Sequence, residues 1–140
     1  NHAIDTRVEG DNVKTHDNCT MTATKVSTLE NDLLNDVDVI AVDEIQFFSN
    51  IKPWVENALK LGKHVILAGL DGDFKQEKFG ELFDVIPLAD EVLKLRALCM
   101  ICNDGTSGPF TQRTSVDDAQ IVVAAEDSYR AVCRKHLLKM

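Results

Sequence analysis

Four residues in the last third of the chain have the types and spacing of a metal site. Cys99 and Cys102 form a Cys-x-x-Cys pair, and Cys133 and His136 form a second pair with the same spacing. Three thiolates and one imidazole make a closed tetrahedral set that suits Zn²⁺ and leaves no open position for catalysis. The pattern therefore predicts a structural zinc site. The alternative is a reduced Cys-x-x-Cys redox pair with an unrelated cysteine farther along the chain.

Two adjacent carboxylates form the second group that could do chemistry. Asp43 and Glu44 directly follow residues 37–42, a run rich in β-branched side chains that predicts a buried strand. An Asp at a strand end can hold Mg²⁺, and a neighbouring carboxylate can accept a proton from a nucleophile, as in the second nucleotide motif of P-loop enzymes. Acidic residues also end parallel strands because the loops there are wet, so this signal alone leaves both interpretations open.

A glycine-rich phosphate loop of the form G-x-x-x-x-G-K-[ST] would strengthen the nucleotide interpretation. The seven glycines of this chain are scattered and do not form one. We therefore expect that the groups that bind phosphate lie outside these 140 residues, or that the chain does not bind phosphate.

The elements that must position these residues alternate along the chain. Apolar runs predict strands at residues 37–42, 64–70 and 91–95. Helical periodicity predicts a short helix that ends near Leu34, a helix between Asn50 and Gly62, and a loop-helix from Phe79 that Pro87 ends. Strands separated by helices need crossover connections, so the sequence predicts an α/β protein with a parallel sheet.

The texture of the sequence changes near residue 97. Residues 111–115 and 120–123 are predicted to pair as two strands around the Asp117–Asp118 turn, and Tyr129 to His136 are predicted to lie on a C-terminal helix. We therefore predict an α/β core over residues 1–96. A small, β-rich, zinc-ribbon-like subdomain is predicted over residues 97–140.

Composition excludes several classes of partner. The chain has 15 Lys and Arg residues against 23 Asp and Glu residues, which gives a net charge of −8. Non-specific binding to nucleic acid or to an anionic membrane needs a positive field, so neither is expected. Apolar runs are too short to span a bilayer and no secretory leader is evident, so we expect a cytoplasmic protein. The acidic balance and the absence of a basic aromatic stripe also make a zinc-ribbon module that contacts nucleic acid or protein a distant alternative.

Ordered segments along the whole chain carry a specific resemblance. They include Asp5-Thr6-Arg7, DEIQFF at residues 43–48, LDGDF at residues 70–74, TQR at residues 111–113, and the two metal-ligand pairs. In this order they resemble the thymidine kinases of the zinc-containing, cellular and poxviral type (type II). The resemblance implies a P-loop-kinase-like (RecA-like) nucleotide-binding core over residues 1–96 and a zinc-binding subdomain over residues 97–140.

This resemblance also implies an activity and a set of site residues. Such enzymes transfer the γ-phosphoryl group of ATP, with Mg²⁺, to the 5′-hydroxyl of thymidine, giving dTMP in nucleotide salvage for DNA synthesis. Glu44 corresponds to the carboxylate that receives the hydroxyl proton. The implied ATP-side residues are Asp5, Thr6, Arg7, Asp43 and Gln46. The implied nucleoside residues are Phe47, Leu70, Phe74, Phe79, Thr111, Gln120, Ile121, Val122, Val123, Ala124 and Tyr129. The family also implies a cytosolic homotetramer with dTTP as a possible feedback inhibitor.

The sequence departs from the family pattern at a few positions. Ile45 stands where the motif normally has a small residue, which would place a bulky side chain beside the proposed base. Ala124 and Ala125 replace two expected glycines, and His136 replaces the usual fourth cysteine. His136 is a conservative change for zinc. The absence of the phosphate loop, Ile45 and the two alanines together indicate the alternative function, a catalytically silent thymidine-kinase-like domain. It would support an active partner, in a homo-oligomer or a tandem-domain assembly, by assembly or nucleoside binding.

Overall fold

A computed structural model describes residues 12–14, 19–114 and 129–138 of the chain. The expected ATP-side segment Asp5-Thr6-Arg7 and the expected base-binding segment Gln120, Ile121, Val122, Val123 and Ala124 lie outside these described residues. Among the described residues, no helix is long and apolar enough to cross a bilayer.

The described residues form two compact units. The first unit contains the described residues up to Asp71 together with Lys78–Asp90, and the second contains Gly72–Glu77 and the described residues from Glu91 onward. The sequence predicts a single boundary near residue 97, whereas the chain enters the second unit twice. Amino-acid composition does not reveal a short loop that belongs to a different unit from its neighbours in sequence.

In the first unit, two pairs of short strands and one regular helix are the main elements. The antiparallel pair is β1 (Asn12–Lys14) with β2 (Thr20–Thr22). The parallel pair is β3 (Val39–Val42) with β4 (His64–Leu67), and α1 (Ile51–Lys60) connects its two strands. Short 3-10 helices cover Asn31–Leu34, Ile45–Phe47, Leu82–Asp84 and Ile86–Leu88.

The apolar face of α1 forms the core of the first unit. Ile51, Trp54, Val55 and Ala58 are buried on this face. They pack with Leu34, Val42, Ile45, Phe48 and Val85. The Trp54 indole Nε1 donates a hydrogen bond to the Glu30 carbonyl at 3.1 Å, so the ring's only polar group is satisfied while the ring is buried. α1 thus fixes β3 and β4 from one side.

The parallel pair confirms part of the predicted sheet and corrects the rest. The register from Val39 opposite His64 to Val42 opposite Leu67 gives the parallel pairing expected from the sequence. The strand predicted at residues 91–95 is wrong, because residues 91–96 form no regular element. Val39 and Ile66 are 56% and 49% exposed, so β3 and β4 are not buried on both faces as their composition suggests.

Two of the predicted helices also differ from the structure. The amphipathic segment ending at Leu34 makes only a four-residue 3-10 helix. Pro87 does not end a helix but lies inside the 3-10 helix Ile86–Leu88, where a missing N–H in the first turn costs no hydrogen bond. Apolar periodicity marks which side chains are buried, but it does not distinguish a full helix from a single turn.

The described part of the second unit contains short antiparallel strands and one helical turn. β5 (Ala97–Leu98) pairs with β6 (Ser107–Gly108), and β7 (Phe110–Arg113) pairs with β8 (Tyr129–Val132). α2 (Arg134–Leu137) follows β8. The prediction that Tyr129 lies on the C-terminal helix is wrong, because pairing with β7 makes residues 129–132 a strand. The predicted strand at residues 120–123 lies outside the described residues.

Candidate functional site

The four predicted zinc ligands come together in the second unit. The ligand atoms of Cys99, Cys102, Cys133 and His136 all lie within 4.8 Å of one another. The Sγ atoms of Cys102 and Cys133 are 3.8 Å apart, and His136 Nδ1 lies 3.4 to 3.6 Å from the three sulfurs. Tetrahedral zinc with bonds of about 2.3 Å to sulfur and about 2.0 Å to nitrogen would place S···S near about 3.8 Å and S···N near about 3.5 Å. The donor set therefore fits a zinc ion in both type and size.

The local fold explains how these four side chains meet. The Cys-x-x-Cys turn lies between β5 and β6, where the Cys99 N–H donates to the Thr106 carbonyl at 2.7 Å and the Asn103 N–H to the Cys99 carbonyl at 3.1 Å. Cys133 precedes α2, and the His136 N–H donates to the Cys133 carbonyl at 3.1 Å, so one helical turn places the second pair on one side. The ligand side chains from the β5–β6 turn and from the start of α2 therefore converge on one point.

The turn of this hairpin is itself held by a carboxylate. Asp104 Oδ1 accepts hydrogen bonds from the Thr106 hydroxyl at 2.6 Å and from the Thr106 N–H at 3.0 Å. The bond from the hydroxyl is the main reason that the pKa of Asp104 lies below its ordinary value. A charged acceptor therefore fixes the loop that follows Cys102.

The pKa values of two thiols in the cluster are shifted in opposite directions. Burial would raise the pKa of Cys99, but hydrogen bonds from backbone N–H groups of Cys102, Cys133 and Ile101 outweigh it and lower that pKa to about 6. Burial, followed by the neighbouring thiols of Cys99 and Cys133, raises the pKa of Cys102 to about 11. One thiolate is therefore favoured without metal, while further ionisation requires a cation to compensate it. This pattern is typical of a metal-ligand set.

The two carboxylates lie at the carboxyl end of the parallel pair in the first unit. Beyond β3, the Ile45 N–H donates to the Ala68 carbonyl at 3.0 Å and the Ala68 N–H donates to the Val42 carbonyl at 2.9 Å. These bonds hold Asp43 and Glu44 beside the end of β4. Glu44 has φ 57° and ψ 41°, and its N–H donates to Asp43 Oδ1 at 2.9 Å. A non-glycine residue in this left-handed region is strained by about 1–3 kcal/mol, and such strain is concentrated at functional sites.

Gln46 connects Glu44 to the segment after β4. Its side chain is only 4% exposed. Its Nε2 donates to Glu44 Oε2 at 2.6 Å, and its Oε1 accepts from the Leu70 N–H at 3.0 Å. Both ends of the Gln46 amide are thus engaged inside the first unit, and its ATP-side role stays a prediction.

Three of the expected nucleoside residues lie near this carboxylate end. The rings of Phe47 and Phe79 meet edge to face with their centroids 5.6 Å apart. Leu70 follows β4, and its side chain is 47% exposed while its N–H is bound to Gln46. These residues and Glu44 therefore belong to one connected region of the first unit.

The other expected nucleoside residues that the structure describes gather in the second unit. Arg113, at the end of β7, places its guanidinium carbon 3.9 Å from the centroid of the Phe74 ring and 4.9 Å from that of Tyr129. Arg113 Nη2 also hydrogen-bonds the Tyr129 hydroxyl. Thr111 is half-buried on the same strand, opposite Ala131. Arg113 has no role among the predicted site residues, and its place in the TQR motif at residues 111–113 is the available sequence signal for it.

Ile45 does not occupy the place expected from the sequence. Its side chain is fully buried in the core of the first unit. A Cβ on Gly69 would lie 2.7 Å from Ile45 Cγ2, so the absence of a side chain at Gly69 makes room for it. The bulky side chain is thus accommodated in the core.

A cavity of about 220 Å³ lies elsewhere on the first unit. It is lined by Leu29, Asn31, Asn50, Pro53, Trp54 and Asn57. None of these is a predicted site residue, so the cavity does not bear on the carboxylate chemistry.

The fold and the site define an α/β protein with strand-end carboxylates and a second, β-rich unit with a Cys₃His metal-binding group. The family model described as thymidine kinase matches residues 1–137. A thymidine kinase of Myxoma virus (strain Lausanne) is 38% identical over 128 residues, covering 90% of this chain and 71% of the viral protein. A thymidine kinase of Fowlpox virus (strain NVSL) is 40% identical over 141 residues, covering 96% and 76%. One of Oryza sativa subsp. japonica is 39% identical over 142 residues, covering 96% and 52%.

Matches of this extent in viral and plant proteins leave one assignment. The chain belongs to the thymidine kinase family.

Proposed function

We propose that this chain carries the nucleoside-phosphorylating site of a thymidine kinase, which transfers the γ-phosphoryl group of ATP to the 5′-hydroxyl of thymidine. The observation that carries the proposal is the position of Glu44. Its backbone is strained, and its half-buried side chain lies at the carboxyl end of a parallel strand pair. Ligand sites of open α/β sheets lie at this edge. Membership of the thymidine kinase family supports the choice of substrate.

In this proposal Glu44 accepts the proton of the 5′-hydroxyl and orients that oxygen toward the γ-phosphorus. Phosphoryl transfer has a loose transition state, so orientation of the hydroxyl contributes as much as removal of its proton. Asp43 is assigned to the Mg·ATP side, and the divalent ion would neutralise charge on the transferred group when bound. Phe47 and Phe79 supply apolar surface near the carboxylate. Phe74, Thr111 and Tyr129 are assigned to the nucleoside from family resemblance.

The proposal extends to properties that belong to the whole protein. It includes a P-loop-type core, supported by the parallel β3–β4 pair with its terminal carboxylates. It includes structural zinc at Cys99, Cys102, Cys133 and His136, supported by their spacing and mutual distances. Assembly as a homotetramer, a cytoplasmic location, feedback by dTTP and ATP-side contacts from Asp5, Thr6 and Arg7 follow from family membership.

The test is a conservative change at the proposed base. We expect Glu44→Gln in the intact natural polypeptide to lower kcat for thymidine phosphorylation by about 10²- to 10⁴-fold, the usual contribution of a general base. The dissociation constant for thymidine should stay close to that of the wild type, because the amide keeps the size of the side chain. Phosphate transfer is followed with labelled ATP and binding by calorimetry.

A matched control makes the same change away from the site. Glu56→Gln alters a half-buried glutamate on α1 and should leave kcat unchanged. Full turnover by the Glu44→Gln protein would remove Glu44 from the proposed role. A wild-type protein that binds thymidine but transfers no phosphate would instead favour the catalytically silent domain.

A further inference from the structure

We infer that Gln46 is a positioning residue for the reaction: its buried amide holds the Glu44 carboxylate in place and couples it to the chain segment at Leu70. This inference rests on the proposed function, since it assigns Glu44 the base role. This role lies inside the first unit and is separate from the expected contact of Gln46 with the nucleotide.

The hydrogen bond from the Leu70 backbone N–H determines how the Gln46 amide is oriented. The Leu70 backbone N–H can only donate, so the amide atom 3.0 Å away must be the oxygen Oε1. The amide nitrogen is therefore directed at Glu44 Oε2, 2.6 Å away. A neutral N–H donor to a carboxylate at this distance makes a strong, charge-assisted hydrogen bond.

Two glycines pack closely against Gln46. A Cβ on Gly69 would collide with Gln46 Oε1, and a Cβ on Gly80 would collide with the Gln46 carbonyl oxygen and lie 3.0 Å from its Cα and carbonyl carbon. Gly80 also has φ +66°, which a side chain would strain. Gly69 precedes Leu70 and Gly80 follows Phe79, so the packing around Gln46 includes the segments that carry these two expected nucleoside residues.

The conformation of Glu44 makes it important that another side chain holds its carboxylate in place. Its backbone is in the left-handed region and its side chain is half-buried at the end of β3. A carboxylate that must meet a hydroxyl loses efficiency when it is displaced by about 1 Å, so a side chain fixed by packing is required to hold it. Gln46, at 4% exposure, is fixed in this way.

A change to glutamate separates positioning from a merely structural role. Gln46→Glu keeps the size of the side chain and an oxygen that accepts from the Leu70 N–H, but it replaces the donor facing Glu44 by a second carboxylate. We expect kcat of the intact natural polypeptide to fall about 10- to 100-fold, the factor for losing one hydrogen bond to a charged group. KM for thymidine should change much less, because the base pocket is not altered.

The decisive measurement is the same change in the Glu44→Gln protein. If Gln46 acts through Glu44, the double variant has the same kcat as Glu44→Gln alone, because the group that Gln46 positions is already gone. A matched control is Gln112→Glu, an equally buried glutamine at 3% exposure whose Oε1 lies 2.6 Å from Arg130 Nε. There the new carboxylate faces Arg130 instead of Glu44, so kcat should stay close to that of the wild type.

A second readout is independent of phosphate transfer. The carboxyl ¹³C resonance of Glu44, assigned by its absence in Glu44→Gln, should move in Gln46→Glu while that of Glu56 stays in place. The inference is overturned if that resonance does not move, if kcat of Gln46→Glu equals the wild type, or if the loss in kcat is as large without Glu44 as with it. Failure of the wild type to phosphorylate thymidine would contradict the proposed function alone, and the resonance would still test Gln46.

Discussion

At the scale of the residue, Arg113 connects two aromatic side chains assigned to the nucleoside. Its guanidinium lies over both the Phe74 and Tyr129 rings. Cation–ring contacts contribute about 0.5–2 kcal/mol each, so we expect Arg113→Met to weaken thymidine binding by about tenfold. The methionine retains an apolar stem but loses the charge and the donor to the Tyr129 hydroxyl. Calorimetric titration with thymidine measures the effect.

Arg134 provides the control for this prediction. Its guanidinium carbon lies 4.0 Å from the Phe110 ring centroid, a similar contact among residues not assigned to the nucleoside. Arg134→Met should therefore leave the dissociation constant for thymidine unchanged. Equal losses in the two variants would mean that Arg113 supports the unit in general rather than the two rings.

At the scale of the element, the turn at Gly80 determines how closely this segment of the chain approaches Gln46. Gly80 and Gly62 both have positive φ, +66° and +71°, but a Cβ on Gly80 meets backbone atoms of Gln46 whereas one on Gly62 meets nothing within 4 Å. We expect Gly62→Ala to lower the free energy of unfolding by about 1–2 kcal/mol, the cost of a side chain in the left-handed region. Gly80→Ala should cost about 1–3 kcal/mol more, because backbone must move. Urea denaturation measures both.

The same pair of variants also separates stability from activity. Gly62 closes α1 far along the sequence from Gln46, so Gly62→Ala should not change kcat beyond its effect on folding. Gly80→Ala should lower kcat, because a displaced Gln46 moves Glu44. Equal unfolding free energies for the two variants would contradict the close contact at Gly80.

Local patterns explain which elements could be predicted from the sequence. The run at residues 37–42 and the acids after it are local, and so are the two metal-ligand pairs; all were placed correctly. The contacts of Gln46 with Leu70 and Gly80 could not be predicted, because these residues are far away in sequence. Residues 91–95 look like a strand, but strand formation depends on a partner, and the described residues provide none for them. Tyr129 was assigned to a helix because its pairing with Arg113 is likewise non-local.

At the scale of the whole molecule, the two units draw their stability from different sources. The first unit has an apolar core built around Trp54 and Ile51 of α1. In the second unit the buried cluster is Cys99, Val132, Cys133 and Leu137, with Cys102 and Phe110 packed against it. Three of these six residues are predicted zinc ligands, so the described part of this unit has little apolar burial of its own. We therefore expect metal binding to supply stability that the core does not.

Acid should release this metal. Zinc binds thiolates, and the pKa of Cys102, raised to about 11, means that this thiol keeps its proton at neutral pH until the metal displaces it. Protons therefore compete with zinc, and the affinity for zinc falls as the pH falls. Zinc titrations of the metal-free protein at several pH values, with a competing chelator, measure this dependence. An affinity that does not change with pH would contradict thiolate ligation.

The zinc site also predicts which part of the chain depends on the metal. We expect about one zinc per chain from the four-ligand set, none in Cys102→Ser, and no change in Cys19→Ser, which alters the one cysteine outside the set. Removing the metal should expose the backbone amides of β7 and β8 to hydrogen exchange, because the ligands tie the hairpin turn to the start of α2. The amides of α1 should keep their protection, since their helix is held by the apolar core of the first unit. Hydrogen exchange resolved by peptide separates the two units, and unchanged protection of β7 and β8 in the metal-free protein would show that this unit folds without zinc.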